Sequence, residues 1–364
     1  MSSTSFNSRH AALVAEILDA SEPRVLEALD SLTELLGLSV PAGNSSPRAT
    51  DLEATCALVN LVELERSAAR DWQLSRSLTE ISEKAVSWLP GHFESHPEDR
   101  KPYSDFIQLR CGSGFPWHAA QPAATALALL YNFSPFQDTG ATVASKRLRN
   151  FSRTFDVIAC SFLHKKKQDP TIEKIAQPYV ASKYFLPLPA SWASWEPFKA
   201  FAVRASEVAN SMHTTANYEM AYSRAMWAPS IYAGFLFKRQ NPDVEWVAEF
   251  SDPLSLDVEG LPRGTAVPAD EVSSTMIDAL TLEYPDLDVS SLSVFSLAET
   301  LAYAFADRII FTNTNQKLTM LEHVGSAALA ERVDRIGEVS NHPTLPRSYY
   351  EMESTSLEPD PAKL

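Results

Sequence analysis

Trp246-Val-Ala-Glu-Phe-Ser-Asp-Pro253 is the stretch whose reading decides the fold. Trp246, Val247, Ala248 and Phe250 form a nearly continuous apolar run, the pattern of a strand covered on both faces in a parallel sheet. Pro253 has no amide hydrogen to give to a sheet interior, so the strand ends before it. Glu249, Ser251 and Asp252 thus stand at the carboxyl end of a central strand. Ligands of open α/β sheets bind outside that end. The same residues also fit a solvated strand end in which Asp252 opens a turn.

Outward from this stretch, five similar runs occur between residue 123 and residue 311. The six apolar or β-rich segments are residues 127–131, 155–160, 183–186, 219–222, 244–250 and 308–311. Segments with helical spacing separate them, at 142–151, 171–181, 195–212, 228–239 and 293–306, and a last helix is expected over 315–329. Strands alternating with helices predict βαβ units and a mainly parallel, Rossmann-like sheet flanked by helices. Residues 255–292 are too long for an ordinary strand-to-helix connection and read as an insertion, a lid or a partner surface.

The first 122 residues have a different pattern. Leu13, Ile17, Val25, Leu26, Leu29, Leu32 and Leu36 recur at helical steps, with a break at Ser21-Glu22-Pro23. A linker is expected over 40–47, a second helical stretch over 51–89, and a connecting segment over 90–122, where Pro, Gly and His accumulate. The expected organisation is a helical region at 1–122, a Rossmann-like domain at 123–340, and a linker or tail at 341–364.

The chain has 364 residues, a net charge of −15, 45% hydrophobic and 21% charged residues. That length can bury a large core. The negative charge argues against a nucleic-acid backbone as partner. Cys56, Cys111 and Cys160 are odd in number and far apart, which fits a reducing cytoplasm better than a disulfide framework. No apolar run reaches the roughly 18–20 residues that span a bilayer. The expected location is cytoplasmic, with peripheral contact at the inner face of a membrane left open.

Three strand ends carry candidate chemistry. Residues 131–142 lead from the first strand into a helix, where Gly140 allows close backbone approach or a positive φ. The N-terminus of that helix offers N–H groups to an anion, while Asp138, Thr139 and Thr142 can cap it or hold sugar hydroxyls. Arg224 follows the fourth strand and can grip a phosphate or carboxylate, or pair with Glu249 or Asp252 next door. Thr312, Asn313, Asn315 and Gln316 follow the sixth strand and suit a hydroxyl-rich ligand, or serve as helix caps. Lys165-Lys166-Lys167 is a candidate phosphate holder and more simply a solvated loop. His92 and His96 have a metal-chelating step, but Pro90, Gly91 and Pro97 bracket them, which favours a solvated turn; no metal or cofactor is expected. No P-loop, no Gly-x-Gly-x-x-Gly and no Gly-x-Ser-x-Gly occurs, and 11 glycines are few for a dinucleotide binder.

In their order, Asn132–Gly140, Tyr222-Ser-Arg-Ala-Met-Trp-Ala-Pro229, Trp246–Pro253, Ala306-Asp-Arg-Ile-Ile-Phe-Thr-Asn-Thr-Asn-Gln316 and His342-Pro-Thr-Leu-Pro-Arg-Ser-Tyr-Tyr350 carry a resemblance. From about residue 123 to 350 the chain resembles the amino-terminal, acceptor-side half of a bacterial GT-B-fold glycosyltransferase of the group with retaining members. The resemblance implies transfer from a nucleotide-diphosphate sugar to a glycan or cell-envelope acceptor. It implies Asp252 and Glu249 as the groups that orient the acceptor and remove its proton, and Arg224 as a stabiliser of negative charge. Asp138, Thr139, Gly140, Thr142, Asn313 and Gln316 would complete the substrate site. Such enzymes keep most of the donor site, and a pair of glutamates two helical turns apart, in a second half. No two glutamates here are eight positions apart, so the expectation is a fragment, one half of a split enzyme with a donor-domain partner, or a domain kept for binding, inactive in transfer by itself. A sugar-nucleotide epimerase would need the same second half. The alternative from another class is a non-catalytic interaction protein that uses the helical region and a Rossmann-like scaffold.

Overall fold

In the computed structural model, Ala15, residues 47–111 and residues 114–345 are described. Apart from Ala15, the expected helical stretch around Leu13–Leu36 lies outside the described residues, as do the linker over 40–47 apart from Pro47, which opens the first described helix, and most of the 341–364 tail. The chain divides into two compact units, Met1–Pro122 with Leu345–Leu364, and Ala123–Thr344.

The first unit is helical. It contains α1 (Pro47–Ala68), α2 (Trp72–Val86), α3 (Leu89–Ser95), a 3-10 turn at Pro97–Asp99, α4 (Arg100–Arg110) and α5 (Trp117–Ala120). Asp71 breaks the long helical stretch in two by capping α2, its carboxylate accepting the Gln73 N–H at 3.1 Å. The segment expected as a connection from residue 90 onward is instead helical. Pro90 sits in the first turn of α3, where a missing N–H costs nothing. Leu52, Val59, Val86, Leu89, Phe93, Ile107 and Trp117 share one apolar core.

The second unit holds a single sheet of seven strands. They are β1 (Ala126–Leu130), β2 (Phe155–Cys160), β3 (Val180–Leu186), β4 (Met220–Arg224), β5 (Glu245–Phe250), β6 (Arg308–Phe311) and β7 (Gly337–Val339). Their order is β3-β2-β1-β4-β5-β6-β7 and every pairing is parallel. The chain therefore builds outward from β1 to one edge, returns to β4, and builds to the other. The reversal falls between β1 and β4, where the carboxyl ends of neighbouring strands send their loops apart and open a crevice. The connecting helices are α6 (Thr139–Phe151), α7 (Pro170–Ala176), α8 (Trp195–Ala216), α9 (Ala228–Gln240), α10 (Glu271–Glu283), α11 (Val294–Phe305), α12 (Thr314–Glu322) and α13 (Ala327–Ile336). The helix expected over 315–329 is two, because Ser326 caps α13 through the Leu329 N–H. The 255–292 insertion holds α10 and a 3-10 turn at Val289–Ser291.

The two-residue period of the strands assigns every side chain to a face. Leu127 and Leu129 of β1 and Trp246, Ala248 and Phe250 of β5 join the core beneath α8, α9 and α11. Ala126, Ala128 and Leu130, with Met220, Tyr222, Val247 and Ile310, form the opposite core against Ala144 and Leu148 of α6. Trp246 is fully buried and its Nε1 donates to Ser223 Oγ at 2.8 Å. Gly234 of α9 makes this packing possible, since a Cβ there would meet the Trp246 indole at 2.6–2.8 Å.

Candidate functional site

The face assignment explains the most unusual feature of the second unit. Glu249 is two residues beyond Val247, so it points into the α6-side core. Arg224 is two beyond Tyr222 on β4 and shares that face. Arg224 and Glu249 are register partners on adjacent strands. Arg147 of α6 lies between the core positions Ala144 and Leu148 and meets them from above. Sequence position thus drives one carboxylate, two guanidiniums and one phenol into the same buried corner at the carboxyl edge of the sheet.

There they satisfy one another. Arg147 donates to both oxygens of Glu249 through Nε at 3.0 Å and Nη2 at 3.2 Å. Arg224 Nη1 donates to Glu249 Oε1, and Tyr222 Oη donates to Oε2 at 2.6 Å. Glu249 has no exposed surface. Burial pushes its carboxyl up, but the charges of Arg224 and Arg147 and the hydrogen bonds of Arg147 and Tyr222 outweigh it and hold the group ionised below its ordinary value. Burial first, and then the Glu249 charge, push the Tyr222 hydroxyl well above its usual range, so it stays a donor. Two guanidiniums against one carboxylate leave one positive charge in the corner.

The network also holds the residues around it. Arg147 Nη1 donates to Ser340 Oγ at 2.8 Å, and Nη2 donates to the carbonyls of Ser340 and Asn341 at 3.0 and 3.2 Å. Those bonds fix the segment that follows β7 and place His342, whose Nδ1 is 4.0 Å from Glu249 Oε1. The His342 side chain is 43% exposed, so solvent reaches the ring. Burial and the Arg224 charge lower its pKa from the ordinary value; Glu249 opposes, Arg147 adds to the lowering, and Asp252 opposes. A neutral imidazole at neutral pH is the form that accepts a proton.

Asp252 lies beyond the end of β5 and is exposed. Its loop is anchored on both sides. Arg224 Nη2 donates to Ser251 Oγ, and Thr312 Oγ1 approaches the Ser251 carbonyl at 3.4 Å. On the far side the buried carboxylate of Glu299, from α11, accepts the N–H of Leu254 and that of Ser255, the latter at 3.1 Å. Asp252 and His342 are therefore the reachable acid–base groups, and Glu249 is the buried counterion beneath them.

The other sequence candidates take structural roles. Asp138 caps α6, accepting the Gly140 N–H at 2.7 Å, and pairs with Lys166. Its carboxylate thus already occupies the helix N-terminus on which an anion was expected. Gly140 does not have a positive φ; it serves close approach, since a Cβ would come within 2.2 Å of Met226 Sδ. Thr142 Oγ1 donates back to the Asp138 carbonyl at 3.1 Å, and Thr139 is exposed. Asn313 caps α12 through the Gln316 N–H at 2.8 Å, and Gln316 Oε1 accepts both the N–H and the hydroxyl of Thr312 at 2.7 Å. These bonds engage Asn313 Oδ1, Gln316 Oε1 and the Thr312 hydroxyl, while Gln316 Nε2 is buried with no acceptor within the protein and Asn315 is exposed. The Lys165–Lys167 triplet is a loop with Lys165 and Lys167 exposed, as expected, while Lys165 Nζ donates to the Ala190 carbonyl and Lys166 is part-buried against Asp138. In the first unit, His92 and His96 do share a helical turn, but their rings stack at 4.8 Å and 17° instead of converging on a point. Among the described residues no group of three or more His, Cys, Asp or Glu is arranged to hold a metal ion.

The chain matches no protein-family model and no curated protein. The geometry therefore carries the functional argument by itself. Four groups in it went unnoticed from sequence: Arg147, Tyr222, Glu299 and the role of His342. Arg147 left one readable signal, a charge set among Ala144 and Leu148 on the apolar face of a helix. Across the described residues, no helix is long and apolar enough to cross a membrane.

Proposed function

We propose that the Ala123–Thr344 unit is the acceptor-side domain of a sugar-transfer enzyme that uses a nucleotide-diphosphate sugar. The observation that carries this reading is the pairing of an exposed carboxylate, Asp252, with a partly exposed, neutral His342 above a buried, net-positive corner. All of it lies at the carboxyl edge of a parallel sheet with a topological switch point. In this reading an acceptor hydroxyl binds over Asp252 and His342. Either group can take its proton, and His342 is the better matched to neutral pH because its pKa is lowered without being buried away from solvent. The excess charge of Arg147 and Arg224 favours an anionic group nearby, such as the diphosphate leaving group. Glu249 holds the two arginines in place and does not act on substrate. Most donor contacts would come from a second domain, and the acceptor would be a glycan or a glycolipid of the cell envelope.

The test, run in an assembly that also supplies the donor-side domain, is release of nucleoside diphosphate from a panel of nucleotide-diphosphate sugars, with methyl glycosides as acceptors. Asp252→Asn and His342→Gln should each lower turnover by about 10²–10⁴ where the residue is the base. The acid limb of the wild-type pH–rate profile should fall below the ordinary imidazole value, because the imidazole must be unprotonated. Asp252→Asn should move that limb lower still, since the Asp252 charge raises the His342 pKa. Release from no donor, together with calorimetric silence toward every glycoside and nucleotide sugar, would overturn the reading.

A further inference from the structure

At the switch point itself, the loops leaving β3, β2, β1 and β4 assemble a second feature. Trp192 lies in the connection between β3 and α8 and is 62% exposed. One face of its indole stacks on Trp227, which follows β4, with ring centres 3.8 Å apart and planes at 26°. Phe162, after β2, packs on Trp227 at 5.7 Å. Lys166 Nζ stands 5.3–5.4 Å from the ring centres of Phe162, Trp192 and Trp227, and pairs with Asp138 after β1. Trp227 Nε1 is buried and has no acceptor within the protein.

The exposed tryptophan is held in place by its neighbours. Tyr131 Oη accepts the Ser191 N–H at 2.8 Å, Ser191 Oγ accepts the Ser194 N–H at 3.1 Å, and Lys165 fastens the Ala190 carbonyl. A large indole on a pinned turn, with one face backed by a second indole and most of the rest open, is a preformed stacking platform. The Lys166 ammonium stands beside it, paired with the Asp138 carboxylate, which is nearly buried as the cap of α6.

We infer that Trp192, backed by Trp227 and flanked by Lys166 and Asp138, is a subsite that stacks a pyranose ring of the acceptor. A pyranose presents a flat patch of C–H groups to the Trp192 indole and hydroxyls at its rim to the Lys166 ammonium, which Asp138 holds in place. A nucleotide fits less well. Its base would stack, but its phosphates would meet the Asp138 carboxylate, whose partner Lys166 is already neutralised. The inference rests on the sugar-transfer reading for its biological sense, and its location adds to that reading. The platform spans the switch point, over β3, β2, β1 and β4, and Asp252 and His342 stand over β5 to β7, so a glycan would run along the carboxyl edge of the sheet from one to the other.

Saturation-transfer NMR of the full chain tests this with the methyl α- and β-glycosides of glucose, galactose, mannose, N-acetylglucosamine and rhamnose, and with uridine diphosphate as the competing stacker. At least one glycoside should show saturation concentrated on the ring protons of one face. Trp192→Ala should weaken its binding about fivefold or more, the scale of one lost aromatic stack, while Trp192→Phe keeps most of it. Trp192 is exposed, so both variants should retain the wild-type circular dichroism. Saturation of no glycoside, saturation indifferent to Trp192→Ala, or Trp192-dependent saturation of uridine diphosphate alone would each overturn the subsite. Asp252→Asn separates the two claims. Wild-type turnover in that variant alongside intact Trp192-dependent binding would remove the proposed chemistry and leave the subsite standing. Lost turnover with no glycoside binding would do the reverse.

Discussion

Glu249 shows how far a residue's position and its role can part. Its place at the end of β5 is legible from the apolar run that precedes it. Its role is not, because that depends on Arg224 across the strand register and on Arg147, 102 positions away in sequence. Removing one member of a buried ion network leaves the others uncompensated, which typically costs about 3–5 kcal/mol. Glu249→Gln should therefore destabilise the protein by about that much at pH 7, while Asp252→Asn, at an exposed site, stays within about 0.5 kcal/mol. The sign of the pH dependence follows from the lowered Glu249 pKa. The unfolded chain takes up this proton more readily than the folded one. The stability it contributes is thus present above the unfolded carboxyl value and is lost as pH falls through the folded one. Urea unfolding of wild type and Glu249→Gln at pH 7 and below pH 4 measures both. The gap between them should narrow in acid, and a neutral-pH gap under about 1 kcal/mol would remove Glu249 from its keystone position.

At the scale of elements, six strands announce themselves by apolar or β-rich runs, and all of them but the edge strand β3 are buried along most of their length. The apolar runs at 155–160 and 308–311 coincide with β2 and β6, and those of β1, β3, β4 and β5 are displaced by a few residues at their ends. β7 gave no signal because Gly337-Glu338-Val339 is a short edge strand with little apolar content. The loop after β5 shows a different limit. Nothing in Ser251–Ser255 says that it is rigid, yet the Glu299 carboxylate holds two of its amides from α11. Truncation to alanine would leave the Leu254 amide buried without an acceptor, and such a loss costs about 1–3 kcal/mol. Glu299→Ala should speed hydrogen exchange at Leu254 and Ser255 far more than in β5 itself. It should also lower turnover by freeing the Asp252 loop. Unchanged exchange at those two amides would mean that other contacts fix the loop.

For the whole molecule, the question is which parts fold as one body. The two cores that sandwich the sheet draw their buried residues from positions 126–333, and the two helical cores draw theirs from 52–120. The sheet unit also closes its own polar network, since Arg147, Tyr222 and Arg224, which all donate to Glu249, belong to it. A body with its own cores and its own buried charges needs nothing outside itself to reach a cooperative native state. Residues 123–345 expressed alone should therefore unfold in urea in a single transition, with near-ultraviolet dichroism and tryptophan fluorescence changing together. They should also retain Trp192-dependent glycoside binding. Transitions that separate by probe, or a loss of near-ultraviolet signal in buffer, would mean that the helical unit completes the fold of the sheet. The preceding helices would then be part of the site's scaffold, and no longer a separate body whose partner has to be sought elsewhere.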